Sequence, residues 1–147
     1  MKTHILLLAA ALVASPVLAD APAFQKDLMK TVHAATKENK MAFILLGREA
    51  CGNCQATKKM VREGTIPVTA DAFVAGDLNI DDNRVQADFM RKFAKEKFGS
   101  TLPFIVITDS HGKALASSGG YKSPEAWKTM IEEAKKKIAA KGGAAAR

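Results

Sequence analysis

The apolar residues of this chain recur in two different spacings, and the change between them outlines helices and strands. Phe24, Leu28, Val32 and Ala35 recur at helical spacing, which predicts an amphipathic helix over residues 23–39. The continuous apolar run at 41–46 has the length of a strand and predicts one that is buried on both faces. The first part of the chain is therefore predicted as a helix followed by a central strand.

The same alternation continues through the middle of the chain. Residues 51–62 predict a second helix that Gly64 ends, residues 65–71 are irregular, and residues 72–80 predict a second strand with a turn after it. A third helix ending at Gly99 is predicted from its apolar stripe, which consists of Val85, Phe89, Phe93 and Ala94.

Two more strands and a helix complete the pattern. Residues 104–107 and 114–118 are predicted as strands joined by a hairpin turn at 109–112. Ser123 as N-cap and Pro124 at the first helical position begin a last helix. Its inward positions are predicted to be Trp127, Ile131, Ala134 and Ile138, and its end is expected to fray from Gly142.

The N-terminus has the pattern of an export signal. Lys2 precedes a short apolar stretch and small residues at 17 and 19, as a signal peptidase prefers. We expect a signal peptide at 1–19, one domain at 20–140 and a flexible basic tail at 141–147. Cleavage after Ala19 would leave a soluble protein in the periplasm or another exported compartment, since the apolar stretch is too short for a retained span.

The chain is basic, with a formal net charge of +7 that falls by one when Lys2 is removed. Much of the excess lies in the last helix and tail, where cations favour a helix C-terminus and face solvent. Attraction to an acidic surface or partner is the alternative. The sequence lacks the interleaved basic and aromatic residues of nucleic-acid binders, so we expect no nucleic acid. No feature of the sequence demands a dimer, so we expect a monomer.

The candidate chemistry lies in Cys51 and Cys54, the only cysteines, which follow the central strand directly. Two sulfurs at this spacing on a helix N-terminus suit a redox-active dithiol. A permanent structural disulfide is an alternative, although so small a ring stabilises a fold little. A soft-metal site is another alternative, but it would need more sulfur or histidine ligands nearby. After cleavage of the leader the chain has only two histidines, His33 and His111.

The element order and four motifs resemble the thioredoxin-like family over about residues 23–140. The motifs are the strand leading into the cysteines, the segment 77–83, the step Thr101-Leu102-Pro103-Phe104 and Gly119-Gly120. The resemblance implies an α/β fold with a central mixed four-stranded sheet flanked by helices. It also implies thiol-disulfide exchange without a cofactor, on protein or small-molecule substrates, with a membrane thiol relay as reductant if the protein is a reductase.

The resemblance implies roles for individual residues. Cys51 would attack as a thiolate whose pKa the helix N-terminus lowers, and a more buried Cys54 would resolve the mixed disulfide. Pro103 would be a cis-proline that contacts substrate together with Leu102, Gly52 and Asn53; an ordinary proline at the start of a strand is the alternative. A thioredoxin-like module that binds without catalysis is also left open.

Two departures from the family pattern concern charge. Thioredoxin has a buried Asp where this chain has Leu45, and a Lys on the next strand where this chain has Asp77. Asp77 would then be either a buried acid–base group beneath Cys54, with a pKa raised by burial, or a solvated strand residue. Asn53 takes the place of the family's proline or histidine, which disfavours a strongly oxidising dithiol. Thioredoxin also has a tryptophan before its first cysteine, whereas this chain has no tryptophan there and Arg48 and Glu49 flank the dithiol.

Overall fold

The computed structural model describes residues 19–144, so residues 1–18 of the predicted leader and the last three residues of the predicted tail lie outside it. The elements in chain order are β1 (Phe24–Gln25), α1 (Leu28–Glu38), β2 (Met41–Gly47), α2 (Gly52–Arg62), β3 (Phe73–Asn79), α3 (Asn83–Lys92), β4 (Phe104–Thr108), β5 (Ala114–Gly119) and α4 (Pro124–Ala144).

The strands form one mixed sheet in the order β1-β3-β2-β4-β5. β1, β3 and β2 are parallel to one another, whereas β4 runs antiparallel to both β2 and β5. Every residue of β2 is buried, as the unbroken apolar run predicted for a central strand. The carboxyl ends of β2 and β3 therefore meet at one edge of the sheet, where α2 begins.

Helices cover both faces of the sheet. Successive strand residues point to opposite faces, so each strand contributes side chains to two cores. Phe43 and Leu45 of β2 belong to the core under α2 and α4, which also contains Cys54 and Trp127. The intervening β2 residues belong to a second core under α1 and α3. The side of the sheet that carries Leu45 is therefore the side on which α2 lies.

The sheet has five strands, one more than the sequence predicted. Phe24, interpreted as the first apolar residue of α1, lies instead in β1, which pairs with Ala75 and Gly76 of β3. The helix begins only after Asp27, whose carboxylate accepts a hydrogen bond from the Lys30 backbone N–H at 2.8 Å. A strand of two residues is too short to leave a periodic signal, which explains the error.

The predictions for two helices also need correction. α3 ends at Lys92 with Phe93 as its C-cap, well before Gly99, and Ala94 is exposed. In α4 the residues Trp127, Ile131 and Ala134 are buried as predicted, but Ile138 is 37% exposed because it lies beyond the part of α4 that packs on the core. α4 also includes Gly142, while the flexibility of the tail stays a prediction.

Candidate active site

The two cysteines lie at the start of α2, just beyond the end of β2. Cys51 is the N-cap of α2 and forms a disulfide with Cys54 in its first turn, with a Cα–Cα distance of 5.2 Å. Cys51 is partly exposed, whereas Cys54 is fully buried. The predicted difference in burial is confirmed, and only one sulfur of the pair faces solvent.

The backbone around Cys51 is arranged to interact with negative charge. Its Sγ accepts a hydrogen bond from the Cys54 backbone N–H, with the heavy atoms 3.1 Å apart. An N-cap atom is surrounded by N–H groups that have no partner within the helix, and the helix dipole is positive there. A thiolate on Cys51 in the reduced protein would therefore be stabilised, as expected from the sequence.

Gly47, the last residue of β2, is in close contact with Cys54. A Cβ atom at Gly47 would lie 2.6 Å from Cys54 Sγ and 3.0 Å from Leu45 Cδ2. Real Cβ atoms essentially never lie as close as 2.6 Å to another heavy atom, so glycine allows the strand backbone to approach the buried sulfur. This residue was not identified from the sequence, although a glycine ending an apolar strand beside a CxxC motif is a usable signal.

The Leu102-Pro103 loop has the conformation that the resemblance implied. The peptide bond between the two residues is cis, Pro103 is buried and Leu102 is half-buried. The Asn53 side-chain amide donates a hydrogen bond to the Leu102 carbonyl at 3.4 Å, and the Gly120 backbone N–H donates to the Pro103 carbonyl at 3.0 Å. The structure thus joins two of the residues predicted to contact substrate, Asn53 and Leu102.

Asp77 is buried and ion-paired, so of the two alternatives for this residue the solvated strand residue is wrong and the expected burial is found. It is the register partner of Leu45 in the adjacent strand and has 8% of its side chain exposed. Its Oδ2 accepts hydrogen bonds from Lys26 Nζ at 2.5 Å and Lys58 Nζ at 3.0 Å.

The predicted direction of the Asp77 pKa is also wrong. Burial raises the pKa, but the hydrogen bonds and charges of Lys26 and Lys58 outweigh that effect, so the pKa lies below its usual value of 3.8. A carboxylate of this kind stays ionised at neutral pH and is a weak proton acceptor.

Sequence reasoning missed Lys58. It lies one turn after Cys54 on α2, and its side chain is only 4% exposed. Its Nζ is 3.0 Å from Asp77 Oδ2 and 3.9 Å from Oε2 of Glu49, in the loop before Cys51. A lysine at a helical position that follows a buried cysteine, with an unexplained aspartate in the next strand, was the available signal.

A cleft of about 330 Å³ opens beside these groups. Its lining includes Gly47 and Glu49 from the end of β2 and its loop, Asp77 from β3, and Lys26 from the turn before α1. Arg48 joins the same loop to the turn after β3 through an ion pair with Asp81 at 2.9 Å. The cleft therefore reaches the strand end against which Cys54 packs.

Solved structures provide the comparison with known proteins. A protein of Bacteroides thetaiotaomicron assigned as a disulphide-isomerase aligns with a TM-score of 0.60 and 18% identity, over 79% of this chain and 94% of that one. A mutant thioredoxin from Halobacterium salinarum aligns with a TM-score of 0.56 and 19% identity, over 78% and 90% of the two chains.

No family model and no curated protein sequence matches this chain. Sequence identities below one fifth between this chain and the two aligned structures inform about its fold rather than its activity. Both aligned structures are thioredoxin-fold proteins, and the alignment covers most of their length. The chain therefore has a thioredoxin-like α/β fold, with a close Cys51–Cys54 pair at the N-terminus of α2.

Proposed function

We propose that this protein is an exported thiol-disulfide oxidoreductase that exchanges disulfides through Cys51 and Cys54. One observation carries the proposal: the pair forms a disulfide at a helix N-terminus, with Cys51 partly exposed and Cys54 buried. A purely structural disulfide would gain nothing from an accessible sulfur that is placed to become a thiolate.

The exchange has two steps. The Cys51 thiolate attacks one sulfur of the substrate disulfide, forms a mixed disulfide and releases the other substrate sulfur as a thiolate. Cys54 then loses its proton to solvent, and its thiolate attacks Cys51 Sγ. The substrate leaves as a dithiol after protonation, and the protein dithiol has been oxidised to the Cys51–Cys54 disulfide.

The substrate would bind beside the dithiol. Gly52 and Asn53 project from the start of α2, and Leu102 and Pro103 form the neighbouring loop. The Asn53–Leu102 hydrogen bond holds these two segments together, which supports assigning them to one contact surface for an extended thiol or disulfide substrate.

The direction is proposed to be reduction. Asn53 between the cysteines supplies no imidazolium, so the Cys51 thiolate lacks the additional cation that would make the disulfide strongly oxidising. Equilibration with glutathione buffers tests this. We expect a potential nearer that of thioredoxin, about −270 mV, than that of a strong oxidant such as DsbA, about −120 mV.

Activity and export are tested separately. The reduced protein is expected to reduce a protein disulfide, and a Cys51→Ser/Cys54→Ser variant is expected to be inactive; an inactive wild type would favour a non-catalytic binding module. Expression of the full sequence in a bacterium, followed by fractionation and mass measurement, is expected to give a periplasmic chain that begins at Asp20. A chain that stays in the cytoplasm with Met1 retained would contradict export.

A further inference from the structure

Resolution of the mixed disulfide needs a thiolate on a buried sulfur. Cys54 is fully buried, and bound substrate would cover the open side of the dithiol. Burial disfavours the charged form of a thiol and so raises its pKa. Without a compensating positive charge, the second step of the proposed exchange would therefore be slow at neutral pH.

Lys58 supplies a positive charge within the protein. Side chains of a helix point back toward its N-terminus, so a long lysine side chain covers the preceding turn, which here contains Cys54. The contact of its Nζ with Glu49, a residue that precedes the helix, shows that the side chain extends in that direction. Positions one turn apart on a helix have Cβ atoms roughly 6 Å apart.

The packing of the sheet places the Lys58–Asp77 ion pair on the same side as Cys54. Asp77 is the register partner of Leu45, and parallel partners point to the same face. Leu45 and Cys54 belong to one core cluster, and both approach Gly47, which lines the cleft with Asp77. Cys54 and the ion pair are therefore neighbours under α2.

The charges around Lys58 leave a net positive charge. Lys26 and Lys58 share the single carboxylate of Asp77. Glu49 is 90% exposed and separated by 3.9 Å, so solvent screens its charge, and Arg48 of the same loop is paired with Asp81. Asp82 also lines the cleft, and on α2 itself Lys59 faces solvent in a pair with Glu63.

We propose that Lys58 is a positioning residue for resolution: its buried ammonium group stabilises the Cys54 thiolate that attacks the mixed disulfide. This rests on the proposed exchange function. The Cys54 proton goes to solvent, the electron pair left on sulfur forms the new bond to Cys51 Sγ, and the bond from Cys51 Sγ to the substrate sulfur breaks, which releases the substrate thiolate. Asp77 then acts as the counter-ion that fixes Lys58 in place and does not accept the proton.

The two steps can be followed separately with dithionitrobenzoate in excess over the reduced protein. Attack by Cys51 releases the first thionitrobenzoate anion, and resolution by Cys54 releases the second. Rates are measured from pH 5 to 9 for wild type, Lys58→Gln, Lys58→Arg and Lys26→Gln. Glutamine retains an N–H donor for Asp77 but removes the charge, and Lys26 is the matched control because it binds the same carboxylate while its side chain is 73% exposed.

Lys58→Gln is expected to move the pH midpoint of the second release upward by about one unit, which is about a tenfold loss of rate below the midpoint. The first release should change less than about threefold, because Cys51 is stabilised chiefly by the helix N-terminus. Lys58→Arg is expected to restore most of the wild-type profile. Lys26→Gln should shift the midpoint in the same direction but by less than half as much, since solvent screens the charge of this exposed side chain.

An unchanged second release in Lys58→Gln, or an equal shift in Lys26→Gln, would overturn the role of Lys58. If Lys58→Gln does not fold, Lys58→Arg decides: loss of the wild-type profile despite the retained charge would also overturn it. A wild-type protein that reacts with dithionitrobenzoate but reduces no protein disulfide would instead remove the proposed function, on which this role depends.

Discussion

Gly47→Ala tests the close approach of β2 to the buried sulfur. The added methyl group would lie 2.6 Å from Cys54 Sγ, which is closer than real Cβ contacts allow, and 3.2 Å from Cys54 Cβ, which is tighter than most of them. Either the strand end or the first turn of α2 must move. Overpacking of this kind in a close-packed core costs about 1–3 kcal/mol of unfolding free energy.

Gly52→Ala is the matched control. Gly52 is the first residue of α2, and a Cβ atom there would have no heavy atom within 4 Å. Replacing glycine at a compatible position reduces the freedom of the unfolded chain and stabilises by up to about 1 kcal/mol. The two variants therefore make the same chemical change on either side of Cys51, and the expected changes in the free energy of unfolding have opposite signs.

Urea unfolding of the oxidised proteins measures both effects, with fluorescence of Trp127 as the signal because it is the only tryptophan and is fully buried. A loss of about 2 kcal/mol in Gly47→Ala corresponds to a fall in Tm of roughly 5–10 °C. A Gly47→Ala protein within about 0.5 kcal/mol of wild type, or an equal loss in Gly52→Ala, would refute the close contact with Cys54.

Three further predictions address the site. Cys51 should be alkylated much faster than Cys54 at neutral pH in the reduced protein, since only Cys51 is accessible; peptide mass mapping that finds equal rates would reverse the roles. Asp77→Asn should lose roughly 3 kcal/mol at pH 7, because it leaves Lys58 buried without its carboxylate. The folded pKa of Asp77 is lowered, so its stabilisation is full above about pH 5 and lost as pH falls through that pKa. The free energy of unfolding, measured from pH 7 downward, should therefore fall less steeply with acid in the variant than in wild type. Asn53→Asp should slow alkylation of Cys51 several-fold, because a carboxylate replaces the donor to Leu102 and disfavours the nearby thiolate; an unchanged rate would contradict that reasoning.

The fold was largely predictable because its main signals are local. The apolar run of β2, the N-cap and proline that begin α4, and the glycines that end turns each act over a few residues. β1 escaped prediction because two residues have no period. The end of α3 was misplaced because Phe93 is buried although it lies outside the helix as its C-cap, so the apolar pattern continues past the last helical residue.

The sulfur positions and Pro103 were predictable from motif spacing, whereas the charges around them were not. The burial and pairing of Asp77 depend on Lys26 and Lys58, which come from two separate segments of the chain. Which lysine meets a given carboxylate is decided by strand register and by how α2 lies on the sheet. The sign of a pKa shift that results from several such contacts therefore needs the three-dimensional structure.

Trapping of the mixed disulfide tests the central claim most directly. Reduced Cys54→Ser and Cys51→Ser variants are mixed with one equivalent of a disulfide-containing protein, quenched with acid and analysed by mass spectrometry. Exchange through Cys51 predicts that Cys54→Ser accumulates a covalent complex at Cys51, while Cys51→Ser, whose remaining sulfur is buried, forms almost none. Complexes on both variants in similar yield, or on neither, would contradict it.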